Sequence, residues 1–112
     1  MKIYTDSTLT TSEMASAFSA LGSEQRIAVL RALVRAGEDG LNIGALGDRT
    51  GVTGSTLTHH VKQLAQAGLV DQVKTGRVIQ CAVNYDRVRE LSAFLLQECC
   101  ADAPQPSEIS HD

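Results

Sequence analysis

The sequence predicts a mainly α-helical domain with one small β-hairpin, and three observations carry that prediction. Five segments place apolar residues at helical spacing, most of them between a polar cap and a glycine stop. Two β-rich runs, LVDQVKT and RVIQCAV, meet at Thr75-Gly76-Arg77, a hairpin signal with glycine at its tip. A chain of 112 residues with 43% hydrophobic and 21% charged content matches one globular core, not a disordered chain or a disulfide scaffold.

The elements follow in order. Thr11 or Ser12 precedes EMASAFSALG, in which Met14, Ala17, Phe18 and Leu21 recur at helical spacing before Gly22. Ser23 caps a second helix whose apolar stripe is Ile27, Leu30, Leu33 and Val34 and whose other face carries Arg31 and Arg35. After the turn GEDG, NIGALGDRTG reads as a short helix with Ile43 and Leu46 inward and Gly51 as its stop. Thr53 opens a fourth, GSTLTHHVKQLAQAGLV, which Gly68 ends. At about 100° per residue its Leu57, Val61 and Leu64 share one arc, with Ser55, His59, Lys62 and Gln66 opposite. In the hairpin, Ile79, Cys81 and Val83 fall on one face. Asn84 or Asp86 caps DRVRELSAFLLQECC, apolar at Val88, Leu91, Phe94 and Leu95. The last stretch, ADAPQPSEISHD, has two prolines and no apolar period, so a frayed tail is expected.

Composition narrows the function. No Trp, two Tyr and two Phe exclude an aromatic stacking platform for single strands. No apolar run approaches the ~18 residues of a membrane span, and the N-terminus lacks a basic region followed by an apolar one. The expectation is a cytoplasmic protein with no membrane partner. The net charge is −3, but residues 42–80 set Arg49, Lys62, Lys74 and Arg77 against only Asp48 and Asp71, a local +2. Residues 1–41 carry −1 and residues 81–112 carry −4.

The positive segment is also the one in which two short helices are joined by the tight turn Thr50-Gly51-Val52-Thr53. Small polar residues face outward on the second, which is the pattern of a helix-turn-helix with the hairpin as its wing. The chain then divides into an N-terminal extension (1–10), a winged helix-turn-helix domain (11–100) and a flexible tail (101–112). In this arrangement the second helix enters the major groove. Ser55, Thr56 and Thr58 permit close approach, His59, Lys62 and Gln63 reach phosphates or base edges, and Lys74 and Arg77 serve the wing tip. The alternative for the same residues is a solvated helix face and turn. His60, by phase, borders the core and is expected to be packed and hydrogen-bonded.

Two blocks add a resemblance. ALGSEQRIAVLRALVRAG resembles the ALSDPTRLRIL-type segment of the ArsR family of winged-helix repressors, and GSTLTHHVKQLAQAGLV resembles that family's recognition helix with its closing AGLV. The similarity spans roughly residues 13–98. It implies a homodimeric repressor of double-stranded operator DNA, paired through the first and last helices. It also implies no cofactor for DNA binding, and an inducer that lowers operator affinity.

The family senses through ligands at several positions. Where its commonest thiol site has Cys-Val-Cys, this chain has Asn42-Ile43-Gly44, and its last helix has no histidine for a zinc-type site, with His111 left to the tail. Sulfur remains: Cys81 in the hairpin, and Cys99 and Cys100 closing the last helix. Helical phase from Leu91 and Leu95 favours Cys99 as the inward one. This layout resembles members that respond to trivalent arsenic with one cysteine in the hairpin strand and another near the end of the last helix. Others use a Cys-Cys pair and a third thiol further on, where this chain has Pro104, Pro106 and Ser107. Trivalent arsenic is a soft centre that takes thiolates. Methylarsenite, with two exchangeable positions, suits Cys81 with Cys99, and is placed ahead of arsenite, for which Cys100 supplies a third. The competing readings are Cys81 as a small core residue, a thiol-redox-sensing repressor, a protein-binding winged helix, and a Cys99 or Cys100 enzyme. The enzyme is opposed by the lack of a C-x-x-C motif or an activating base.

Overall fold

The computed structural model describes residues 9–52 and 54–104. Helix α1 (Thr11–Ala20) starts one residue earlier than the sequence suggests. The reason is a reciprocal cap: Thr10 Oγ1 accepts from the Glu13 N–H at 3.0 Å while the Glu13 carboxylate accepts from the Thr10 N–H at 2.9 Å. Helix α2 (Glu24–Ala36) is capped by Ser23 as expected. Its buried arc is Val29, Leu30 and Leu33, whereas Ile27 and Val34, assigned to the stripe from the sequence, are each 42% exposed. The shift follows from the neighbours, because α2 packs against the two helices and the strand that follow it rather than along one flat face.

Helix α3 (Ile43–Thr50) is capped by Asn42, whose Oδ1 accepts from the Ala45 N–H at 2.8 Å. Gly51, left-handed at φ 75°, ends it by donating to the Gly47 carbonyl. Helix α4 (Gly54–Gln66) follows; Thr53, the expected opener, lies outside the described residues. Strands β2 (Val70–Thr75) and β3 (Val78–Val83) form the antiparallel hairpin around Gly76 and Arg77.

A third strand, missed from the sequence, is β1 (Leu41–Asn42), which lies just before α3 and pairs with β3 to give the order β1-β3-β2. Cys81 is the central position, opposite Leu41 on one side and Gln72 on the other. The approach is so close that a side chain on Gly40 (φ 71°) would overlap the Cys81 carbonyl. Two residues are too few for an alternation to be read.

Helix α5 (Tyr85–Phe94) takes Asn84, not Asp86, as its cap, Asn84 Oδ1 accepting from the Arg87 N–H at 3.1 Å. It stops at Phe94, and residues 95–102 are turns in which Glu98 (φ 58°) and Cys100 (φ 65°) are left-handed. This corrects the expectation that Cys99 and Cys100 close the helix with Cys99 inward: the helical phase does not extend to them, and both are exposed. Of the expected tail, residues 101–104 are described and exposed; Pro106, Ser107 and His111 lie outside the described residues, as do residues 1–8 of the N-terminal extension.

The core gathers Met14, Val29, Leu33, Leu46, Leu57, Val61, Leu64, Leu69 and Cys81, all essentially without solvent contact. Each such aliphatic side chain contributes about 1.5–3 kcal/mol. All five helices and strands β2 and β3 contribute buried residues to this core, and so the orientation of α4 is fixed from beneath. No described helix is long and apolar enough to cross a membrane.

Candidate nucleic-acid interface

Burial of Leu57, Val61 and Leu64 turns the opposite arc of α4 outward. Ser55, Thr56, Thr58, His59 and Lys62 are exposed and Gln63 is half-buried, so the sequence-predicted contact residues of this helix share one surface. The Thr58 hydroxyl donates back to the Gly54 carbonyl at 3.4 Å, leaving its methyl and an acceptor lone pair toward solvent. The turn before α4 is held by the hydroxyl of its first residue, a role the sequence did not reveal. Thr50 Oγ1 donates to the Leu46 carbonyl at 2.9 Å and accepts from the Val52 N–H at 3.2 Å, and Val52 itself is buried.

His60 is packed as expected. Its Nε2–H donates to Gln25 Oε1 at 2.8 Å and its Nδ1 accepts from the Arg26 guanidinium at 3.3 Å, which selects the neutral Nε2–H tautomer. Burial, then the charges of Arg26 and His59, hold its pKa below the ordinary 6.5. Arg26 also donates through Nε to the Ala20 carbonyl, so one residue links α4, α2 and the end of α1.

At the wing, Lys74 and Arg77 are exposed on either side of Gly76, left-handed at φ 62°. Arg49, counted in the positive segment but not assigned a role from the sequence, is exposed in the last turn of α3. The ion pairs among the described residues, Arg87–Glu90 and Arg89–Asp86, both lie on α5. Among the described residues, no ion pair engages Arg49, Lys62, Lys74 or Arg77. The surface combines small polar groups on a rigid helix with exposed cations beside it and on a hairpin tip, an arrangement suited to duplex DNA.

Comparison with known proteins agrees. A helix-turn-helix domain model matches residues 21–73. The uncharacterized HTH-type transcriptional regulator YceK of Bacillus subtilis (strain 168) is 32% identical over 72 residues, 64% of this chain and 71% of that protein. The solved ArsR-like transcriptional regulator from Rhodococcus sp. RHA1 is 31% identical with a TM-score of 0.66, covering 81% of this chain and 82% of that one. The chain belongs to the ArsR family of winged-helix transcriptional regulators. The same fold is shared by the homodimeric winged helix-turn-helix DNA-binding domain of a possible ArsR-family regulator from Mycobacterium bovis. That domain is 20% identical with a TM-score of 0.61, covering 87% of this chain and 91% of that one.

Within this ArsR-family fold the three thiols occupy two settings. Cys81 is fully buried in mid-sheet, and burial pushes its pKa up. Cys99 and Cys100 are exposed with their Sγ atoms 3.5 Å apart; the hydrogen bond and charge of Cys99 raise the pKa of Cys100. These two chain neighbours touch while Cys81 stays sealed in the core, so the expected pairing of Cys81 with Cys99 is not formed in this structure. Among the described residues no group of three His, Cys, Asp or Glu side chains is placed to hold a metal ion.

Proposed function

We propose that this ArsR-family regulator is a homodimeric repressor that releases its operator when a trivalent arsenical binds cysteine thiolates. The observation that carries the sensing reading is the contact between the exposed sulfurs of Cys99 and Cys100, two soft donors already side by side and buried against nothing. Methylarsenite, CH3As(OH)2, matches a pair. Two As–S bonds form, two As–O bonds break, and the two thiol protons leave with the hydroxyl groups as two waters; arsenic stays trivalent. Cys81 completes a three-thiolate set for arsenite only by leaving the core, which places the methylated form ahead. DNA contacts are assigned to Ser55, Thr56, Thr58, His59, Lys62, Gln63, Lys74 and Arg77. Pairing through α1 and α5 is supported by Phe18, Leu95 and Leu96, apolar yet 37%, 68% and 69% exposed, and by the homodimeric Mycobacterium bovis domain.

Release of a labelled operator, followed by fluorescence anisotropy during titration with methylarsenite and arsenite, tests this. Wild type should release; Cys99→Ser and Cys100→Ser should bind DNA normally and stay bound; Cys81→Ser should still respond to methylarsenite. Wild type indifferent to both arsenicals, or release surviving both the Cys99→Ser and Cys100→Ser changes, overturns the assignment.

The same contact favours a second reading, oxidation of the pair by a hydroperoxide. Two thiols and ROOH give the disulfide, ROH and water. The pair lies in turns and not within a helix, so a helical backbone does not oppose the closed ring. Operator release by hydroperoxide, with no response to either arsenical, would select it.

A further inference from the structure

Arg31 and Arg35 belong to a segment with a net charge of −1, and the sequence alone sets them apart from the DNA-reading part of the chain. Packing of α2 on α3 removes that separation. The two arginines come to line, with Ala28 and Ala32 of α2 and with Arg49 and Thr50 at the end of α3, an open groove of about 370 Å³. Arg31, Arg35 and Arg49 are exposed, and among the described residues no side-chain hydrogen bond or ion pair engages them. Glu24, Glu38, Asp39 and Asp48, the acidic residues of α2, of the turn after it and of α3, are exposed but do not line the groove.

We propose that this groove is a second phosphate-binding surface, which takes the DNA backbone flanking the segment read by α4. The inference rests on the DNA-binding reading and extends it beyond helix α4 and the wing. Three features favour a line of phosphates over a small anion. Arg31 and Arg35 stand one helical turn apart, about 5–6 Å between their Cβ atoms, and Arg49 comes from another helix, so the positive charge is spread along the groove. The small alanines between them leave apolar surface on which arginine stems can lie while the guanidinium groups stay in water. The groove ends at Thr50, the residue that clamps the turn into α4, so it adjoins the end of that helix bearing Ser55 and Thr56. In a chain of net charge −3, an uncompensated arginine cluster beside the reading head has a polyanion as its complement.

The test compares wild type, Arg31→Gln/Arg35→Gln/Arg49→Gln and Arg31→Lys/Arg35→Lys/Arg49→Lys on a mixed-sequence duplex of about 30 base pairs, in salt from about 50 to 200 mM. Circular dichroism and thermal melting of each protein verify folding. The glutamine variant should bind about 10- to 100-fold more weakly at low salt, with the slope of log affinity against log salt reduced by roughly 2–3. The lysine variant should restore both. Glutamine and wild-type proteins with equal affinity and slope overturn the inference. So does thermal stabilisation of wild type alone by inorganic phosphate with unchanged DNA slopes, which would assign the groove to a small anion. If wild type itself has no salt-dependent affinity for any duplex, the DNA-binding reading fails first.

Discussion

His60 has a role out of proportion to its size. Its ring joins α4 to Gln25 and Arg26 at the start of α2, and it does so only as the neutral tautomer. Because the folded-state pKa lies below the ordinary 6.5, the unfolded chain takes up the proton first as the solution is acidified. The stability that His60 contributes is present above that value and is lost as pH falls through it toward the lower folded pKa. Thermal melting should therefore show a midpoint that declines from pH 7 to pH 5, and His60→Gln should flatten the decline. His59, one residue away, faces solvent, and the difference follows from the 100° step between helical neighbours. That much was legible from the sequence, since the phase of Leu57, Val61 and Leu64 sets both orientations. The partners of His60 were not, because Gln25 and Arg26 are more than thirty positions away and only the docking of α2 on α4 brings them near.

The elements are held by local devices of unequal visibility. Asn84 caps α5 and so positions the helix assigned to the dimer interface; Asn84→Ala should cost about 1 kcal/mol in urea unfolding. Gly40 is the more severe constraint, since its left-handed backbone passes directly over the Cys81 carbonyl where β1 meets β3. Gly40→Ala adds strain of about 1 kcal/mol for the backbone to a methyl overlap costing about 1–3 kcal/mol, and should lower unfolding stability by roughly 2 kcal/mol or more. Far-UV spectra should show the helices retained. The cap of α2, the glycine stop of α3 and the hairpin turn could be read from sequence because each depends on residues within a few positions. The end of α5 could not. DRVRELSAFLLQECC keeps an apolar period past Phe94, but the chain leaves the helix there and Leu95 and Leu96 meet solvent.

For the molecule as a whole, that exposure marks the surface that the proposed homodimer would cover. Leu95→Glu with Leu96→Glu should convert the dimer to monomer in analytical ultracentrifugation. Operator affinity should fall at least tenfold, since two half-sites then no longer bind together. Unchanged dimerisation would place the interface elsewhere. In the proposed homodimer the spacing of the two recognition helices would be a property of this interface, and a ligand would act on DNA affinity by favouring one pairing geometry over another. Cys99 and Cys100 lie a few residues beyond those leucines, so an arsenical bound there would act next to that interface.

The amino-acid order by itself determined the five helices, the hairpin, the outward face of α4 and the winged helix-turn-helix they compose. Periodicity, caps and glycine stops are written within one or two turns of chain, and each can be satisfied without knowing what lies across the core. Only the tertiary structure decided that Leu41 and Asn42 join the sheet, that Cys81 is sealed, and that Arg31 and Arg35 stand beside Arg49. Those facts concern which surfaces meet when the apolar faces of α2, α3, α4 and β3 are buried together, and that arrangement is fixed by the packing of the whole core, not by any segment's own pattern.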